Sequence, residues 1–133
     1  VIGIAEGLGK LDIGFTQLAA LYAVSGPETL TVGDLAEHLG RSPSATSRLV
    51  DGLVRRGYLR RTEEVADRRQ RVLELTDEGQ AVVSSVDHDR ADQFLAVVRP
   101  MPMAERALVA MGVAAVANHA VTQRGGLRRR RGA

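Results

Sequence analysis

The stretch TVGDLAEHLGRSPSATSRLVDGLVRRG, residues 31–57, constrains the fold more than any other. It reads as two helices in close succession. Thr31 stands at the N-cap of the first, Asp34 lies in its first turn, and Gly40 follows its end. Val32, Leu35, Ala36 and Leu39 recur at helical spacing and form its apolar stripe. The second helix has Ser42 at its N-cap, Pro43 at its first position and Gly57 as its stop. Thr46, Leu49, Val50 and Leu53 make one face of it. Ser44, Arg48, Asp51 and Arg55 lie opposite, with Ser47 at the border. So short a connection, with glycine at the end of the first helix, makes a helix-turn-helix.

The flanking segments complete a mainly α fold with a small β-hairpin. Residues 16–24 form a helix with Leu18, Leu21 and Tyr22 on one face, and Gly26 and Pro27 stop it. Before it, Ile4, Leu8, Leu11 and Phe15 share a helical face despite four glycines, which suggests the end of another helix. YLRRTEE and QRVLELT read as two short strands around a charged tip. Two strands alone are marginal, so this hairpin must pack on the helices. A long helix follows, with Thr76 as cap, Asp77 and Glu78 in its first turn, and Pro100 and Pro102 beyond its end. The last helix is apolar nearly all round from Leu108 to Ala117. Such a helix must be buried, and a second subunit is the natural cover.

Charge is unevenly distributed in a chain whose formal net charge is only +2. Residues 41–71 hold nine arginines against four acids, whereas residues 76–98 hold five acids and one arginine. A basic middle beside an acidic helix points to one face that meets a polyanion. The arginine-rich residues 123–133 are expected to be a disordered tail. The chain has no cysteine, which excludes disulfides and thiolate metal sites. The longest apolar run, residues 107–117, is too short for a membrane span, which needs about 20 residues. No secretory signal is visible in residues 1–15, so a cytoplasmic protein that does not engage membranes is expected.

Two surfaces are candidates for nucleic-acid contact. Ser42, Ser44 and Ser47 give the second helix a start small enough to approach the floor of a major groove. Arg48 then reaches a guanine edge or a phosphate. Thr31, Arg41 and Arg55 are placed for backbone phosphates. At the hairpin tip, Arg68 or Arg69 can enter a narrow minor groove, with Asp67 holding one of them in place. Glu63 and Glu64 are candidate partners for Arg71 or Arg61.

These residues resemble the MarR family of winged-helix transcription regulators. The resemblance rests on the helix-turn-helix run through Arg61, the D-x-R of the wing (Asp67, Arg69) and L-T-x-x-G (Leu75, Thr76, Gly79). It implies a winged helix-turn-helix with flanking dimerisation helices. It also implies a homodimer on pseudo-palindromic double-stranded DNA, most often as a repressor, and a small-molecule effector. The wing arginine would be Arg69. By this reading residues 1–15 are the remnant of a dimerisation helix and 16–76 the DNA-binding domain. Residues 77–122 are the C-terminal dimerisation helices and 123–133 the tail.

The alternative is a winged helix that binds an acidic protein partner. The small residues at the start of the second helix argue for DNA, since protein-binding surfaces favour aromatic or methionine anchors. His88 and Asp92, one turn apart, supply only two ligands for a metal. No cofactor is expected. No nucleophile–base pairing stands out, and Gly7–Gly9 follows no strand, so neither catalysis nor dinucleotide binding is expected.

Overall fold

The computed structural model describes residues 12–63 and 70–131, with side chains to Ala120. The order is α1 (Phe15–Val24), α2 (Val32–Leu39), α3 (Pro43–Arg55), β1 (Leu59–Glu63), β2 (Arg71–Leu75), α4 (Asp77–Val98) and α5 (Met103–Arg131). The chain divides into two compact units, Val1–Ala91 and Asp92–Ala133.

In the first unit, local chemistry sets the helix ends. Thr31 Oγ1 accepts the Asp34 N–H at 3.2 Å, and the Asp34 carboxylate accepts the Thr31 N–H at 2.8 Å. This reciprocal pair satisfies donors that the first turn of α2 leaves open. Gly40 ends α2 in the left-handed region at φ 59°, where a side chain would be strained. Arg41 N–H then returns to the Ala36 carbonyl at 3.0 Å, which turns the chain directly into α3. Gly57, at φ 78°, makes the corresponding exit from α3.

β1 and β2 pair antiparallel from Leu59↔Leu75 to Glu63↔Arg71. The hairpin is joined to the helices by backbone as well as by packing. Leu73 N–H donates to the Leu30 carbonyl at 2.8 Å, so Leu30, just ahead of the Thr31 cap, adds a third, one-residue rung. Leu59 and Leu73 enter one core with Leu18, Leu21, Leu35, Val50, Leu53, Val82, Val83 and Val86.

The start of α4 locks onto the end of the helix-turn-helix. Thr76 Oγ1 donates to the Gly57 carbonyl at 2.5 Å and accepts the Gly79 N–H at 3.1 Å. Thr76 N–H donates to the Tyr58 carbonyl at 3.2 Å. The backbones approach so closely that a Cβ on Gly79 would stand 2.1 Å from the Tyr58 oxygen. Only glycine fits there.

In the second unit, α5 runs to Arg131, past the boundary at residue 122 that the arginine-rich tail suggested. Gly125 and Gly126, each costing about 1 kcal/mol in a helix interior, do not interrupt it. Among the described residues, no helix is long and apolar enough to cross a membrane.

Gly79→Ala is expected to destabilise the protein by about 1–3 kcal/mol, because the Tyr58 carbonyl cannot yield as a flexible side chain would. Thermal unfolding should show a melting temperature lower by about 4–12 °C. Gly112→Ala in α5, where an added Cβ meets nothing within 4 Å, should leave it unchanged or raise it.

Candidate nucleic-acid interface

Packing gives α3 two opposed faces. Thr46, Val50 and Leu53 are buried, and Leu49 is half-buried against the same core. Ser44, Arg48, Asp51 and Arg55 are exposed on the other side, and Ser47 is half-buried between the two. Ser42 caps the helix by accepting the Ala45 N–H at 3.3 Å, and its hydroxyl lies 3.4 Å from that of Ser44. The hydroxyl of buried Thr46 donates to the Ser42 carbonyl at 3.0 Å, so it does not compete for the surface. The leading turn of α3 therefore presents only small hydroxyls.

The arginines around this face fall into two groups. Arg60 pairs with Glu74 across the hairpin at 2.9 Å. Arg61 pairs with Asp51 at 2.6 Å and ties β1 to α3. Arg56 donates to the Asp12 carbonyl at 2.8 Å and lies 5.1 Å from the centre of the Tyr58 ring, which anchors the far end of α3. Arg41, Arg48 and Arg55, by contrast, make no side-chain hydrogen bond or ion pair among the described residues.

Arg48, Asp51, Val54, Arg55 and Arg61 line an open cleft of about 530 Å³ between α3 and the hairpin. Three guanidiniums and one carboxylate leave it with a net positive charge. Asp51 lies three residues after Arg48 and four before Arg55, yet it reaches across to Arg61. The two cations on its own helix thus stay open to an anion.

The other candidate residues are differently placed. The single hydroxyl proton of Thr31 goes to Asp34 at 2.7 Å, so Thr31 serves as a helix cap. Arg41 is exposed in the turn before α3. Asp67, Arg68 and Arg69 lie outside the described residues; the base of their loop is the Glu63↔Arg71 pair of the hairpin. The Asp51–Arg61 tie is absent from the sequence reading, which offered Arg61 the nearby glutamates instead. The signal available was Asp51 itself, a lone acid on a basic helix face. Among the described residues, no three His, Asp or Glu side chains could hold one metal ion.

A tight helix-turn-helix followed by a hairpin packed on its core defines a winged helix-turn-helix protein. Comparison with known proteins places it more narrowly. The model of the MarR family matches residues 11–70. The chain is 36% identical over 73 residues to the HTH-type transcriptional regulator YfiV of Bacillus subtilis (strain 168), covering 55% of this chain and 46% of the relative. It is 34% identical over 74 residues to the HTH-type transcriptional repressor MdtR of the same strain, covering 56% and 48%. The matches thus span about half the length of these curated relatives. In fold the chain is similar to S. aureus MepR in the crystal structure of its DNA complex, with a TM-score of 0.74, 20% identity and 88% of each chain covered. Over residues 11–70, which hold the helix-turn-helix and the first strand of the hairpin, the chain is similar to the MarR family.

Asp51→Ala should cost little stability, about 0–1 kcal/mol, because both partners of the pair are solvent-accessible. It should nevertheless loosen the wing. Hydrogen exchange is expected to show faster exchange of the β1 amides with α3 protection unchanged; equal protection in both elements would contradict the tie.

Proposed function

We propose that the chain is the DNA-reading part of a transcription regulator, acting as a homodimer that represses by occupying a pseudo-palindromic operator. One observation carries this reading. Arg48 and Arg55 are exposed on the outer face of α3 and make no ion pair among the described residues, while the neighbouring Arg60 and Arg61 are neutralised. A protein evolved only for solubility has no need to keep one pair of guanidiniums unpaired and the next pair matched. The similarity to a transcriptional regulator and a transcriptional repressor of Bacillus subtilis supports it.

On this reading the serines at the start of α3 let the helix approach the base edges. Arg48, one turn in, is within reach of a guanine, and Arg55 and Arg41 grip the backbone. The wing supplies Arg68 and Arg69 to the minor groove, with Asp67 orienting one of them. The homodimer is supported by the second unit, where Phe94, Val97, Met103, Leu108, Met111, Val113 and Val116 are exposed. That much apolar side chain on a helix calls for a covering partner. Two copies would place their α3 helices in successive major grooves, about 34 Å apart. A small-molecule effector would act by favouring one spacing of the two readers over another.

Selection of binding sites from random DNA, with and without small aromatic effectors, tests the proposal. Enrichment of an inverted repeat is expected. Arg48→Ala should then lose about 1–3 kcal/mol and relax sequence preference, whereas Arg55→Ala should weaken all sites alike and reduce the salt slope by about one. Arg69→Ala should also weaken binding and flatten its salt dependence. If no inverted repeat is enriched, the chain is better read as a protein-binding winged helix.

A further inference from the structure

Asp51 is the lone acid on α3, on the outward face between Arg48 and Arg55. Helical spacing brings both arginines near its carboxylate, since residues three and four apart are neighbours on a helix surface. Among the described residues it pairs with neither. Its Oδ1 accepts instead from Arg61 across the cleft, at 2.6 Å. Arg61 is the more covered partner, with 28% of its side chain exposed against 50% for Asp51. Alternation along β1 turns the adjacent Arg60 to the opposite face of the hairpin, where Glu74 holds it at 2.9 Å. Arg60 does not line the cleft. The two ion pairs therefore cancel equal charge on two different surfaces. Only Asp51 cancels it on the surface that carries Arg48 and Arg55.

We propose that Asp51 is a specificity-determining residue that acts by withholding a cation. It keeps Arg61 from DNA phosphates, and so lowers affinity for duplexes of the wrong sequence. The proposal rests on the DNA-binding reading given above. Phosphate contacts carry no sequence information, and they supply essentially all of non-specific binding. Arg61 lines the same cleft as Arg48 and Arg55, so once released it would add one more such contact on any duplex. On the operator that gain is offset. Releasing Arg61 also cuts the tie that braces β1 on α3, and the brace matters where helix and hairpin must seat together. Wrong sequences, which require no such seating, gain more than the operator does.

The test titrates the full chain and its variants against a random-sequence duplex and against the inverted repeat selected by the wild type, across a salt series. At about 0.1 M salt, Asp51→Ala should bind the random duplex about five- to tenfold more tightly, with a salt slope steeper by about 0.9, the effect of one added phosphate contact. Arg61→Ala should move both quantities the opposite way, because the abandoned carboxylate then competes with phosphate for Arg48 and Arg55. The double variant should return to within about twofold of the wild type. A tie that served only folding would move both single variants in the same direction. Glu74→Ala changes net charge equally on the other face of the hairpin and should leave the random-duplex slope unchanged. On the operator, Asp51→Ala should gain less than about twofold, so that discrimination falls by about threefold or more. Random-duplex affinity of Asp51→Ala at or below that of the wild type would overturn the proposal. So would equal gains on the two duplexes, or a response of Glu74→Ala equal to that of Asp51→Ala. If the wild type selects no inverted repeat, the operator reading itself fails, and this proposal falls with it.

Discussion

The rotation of α3 about its own axis is the constraint on which the surface chemistry depends. Val50 and Leu53 are fully buried, each contributing about 1.5–3 kcal/mol by leaving water. Turning the helix by one residue would replace them with Asp51 and Val54, or with Leu49 and Gly52. The first exchange would bury a carboxylate at a cost of several kcal/mol, and the second would leave a void beside glycine. The helix has one stable orientation, and it sends Arg48 and Arg55 outward. The left-handed glycines at either end, Gly40 and Gly57, make this orientation compatible with the short connections to α2 and β1.

Electrostatics then works on a scaffold already set by packing. The exposed ion pairs Arg60–Glu74 and Arg61–Asp51 are worth at most about 1 kcal/mol each, too little to decide the fold. Their effect is positional. They fix two long side chains against the hairpin and cancel charge where it is not needed. A polyanion approaching this side meets the arginines left over. Because neutralising phosphates releases condensed counterions, the salt dependence of any such binding would follow the number of open cations and not the total. A formal net charge of +2 therefore conceals a face that is locally much more basic.

What the sequence discloses follows the range of each interaction. The caps at Thr31, Ser42 and Thr76 and the stop at Gly40 act within four residues, and their residue types alone announce them. The two faces of α3 follow from its period. Leu30 as a third rung beside Leu73 involves residues 43 apart, and no local pattern distinguishes it from an ordinary loop leucine. Gly79 is noticeable in sequence only as part of a motif; its reason is the Tyr58 carbonyl, which only the folded chain brings near. Asp51 stands out as the lone acid on its helix face, but its partner emerges only when the hairpin register delivers Arg61 to it. The candidate surface was thus legible where it lies on one helix, and not where it joins α3 to β1.

Within the first unit, α4 is held by two kinds of contact. Its first turns are held by valines, whose contribution is non-directional and tolerates small rotations. A hydrogen bond is directional and weakens steeply as its angle departs from linear, so Tyr22–Asp87 adds a directional contact to the non-directional packing of the valines. Such a bond has a net worth of about 1 kcal/mol.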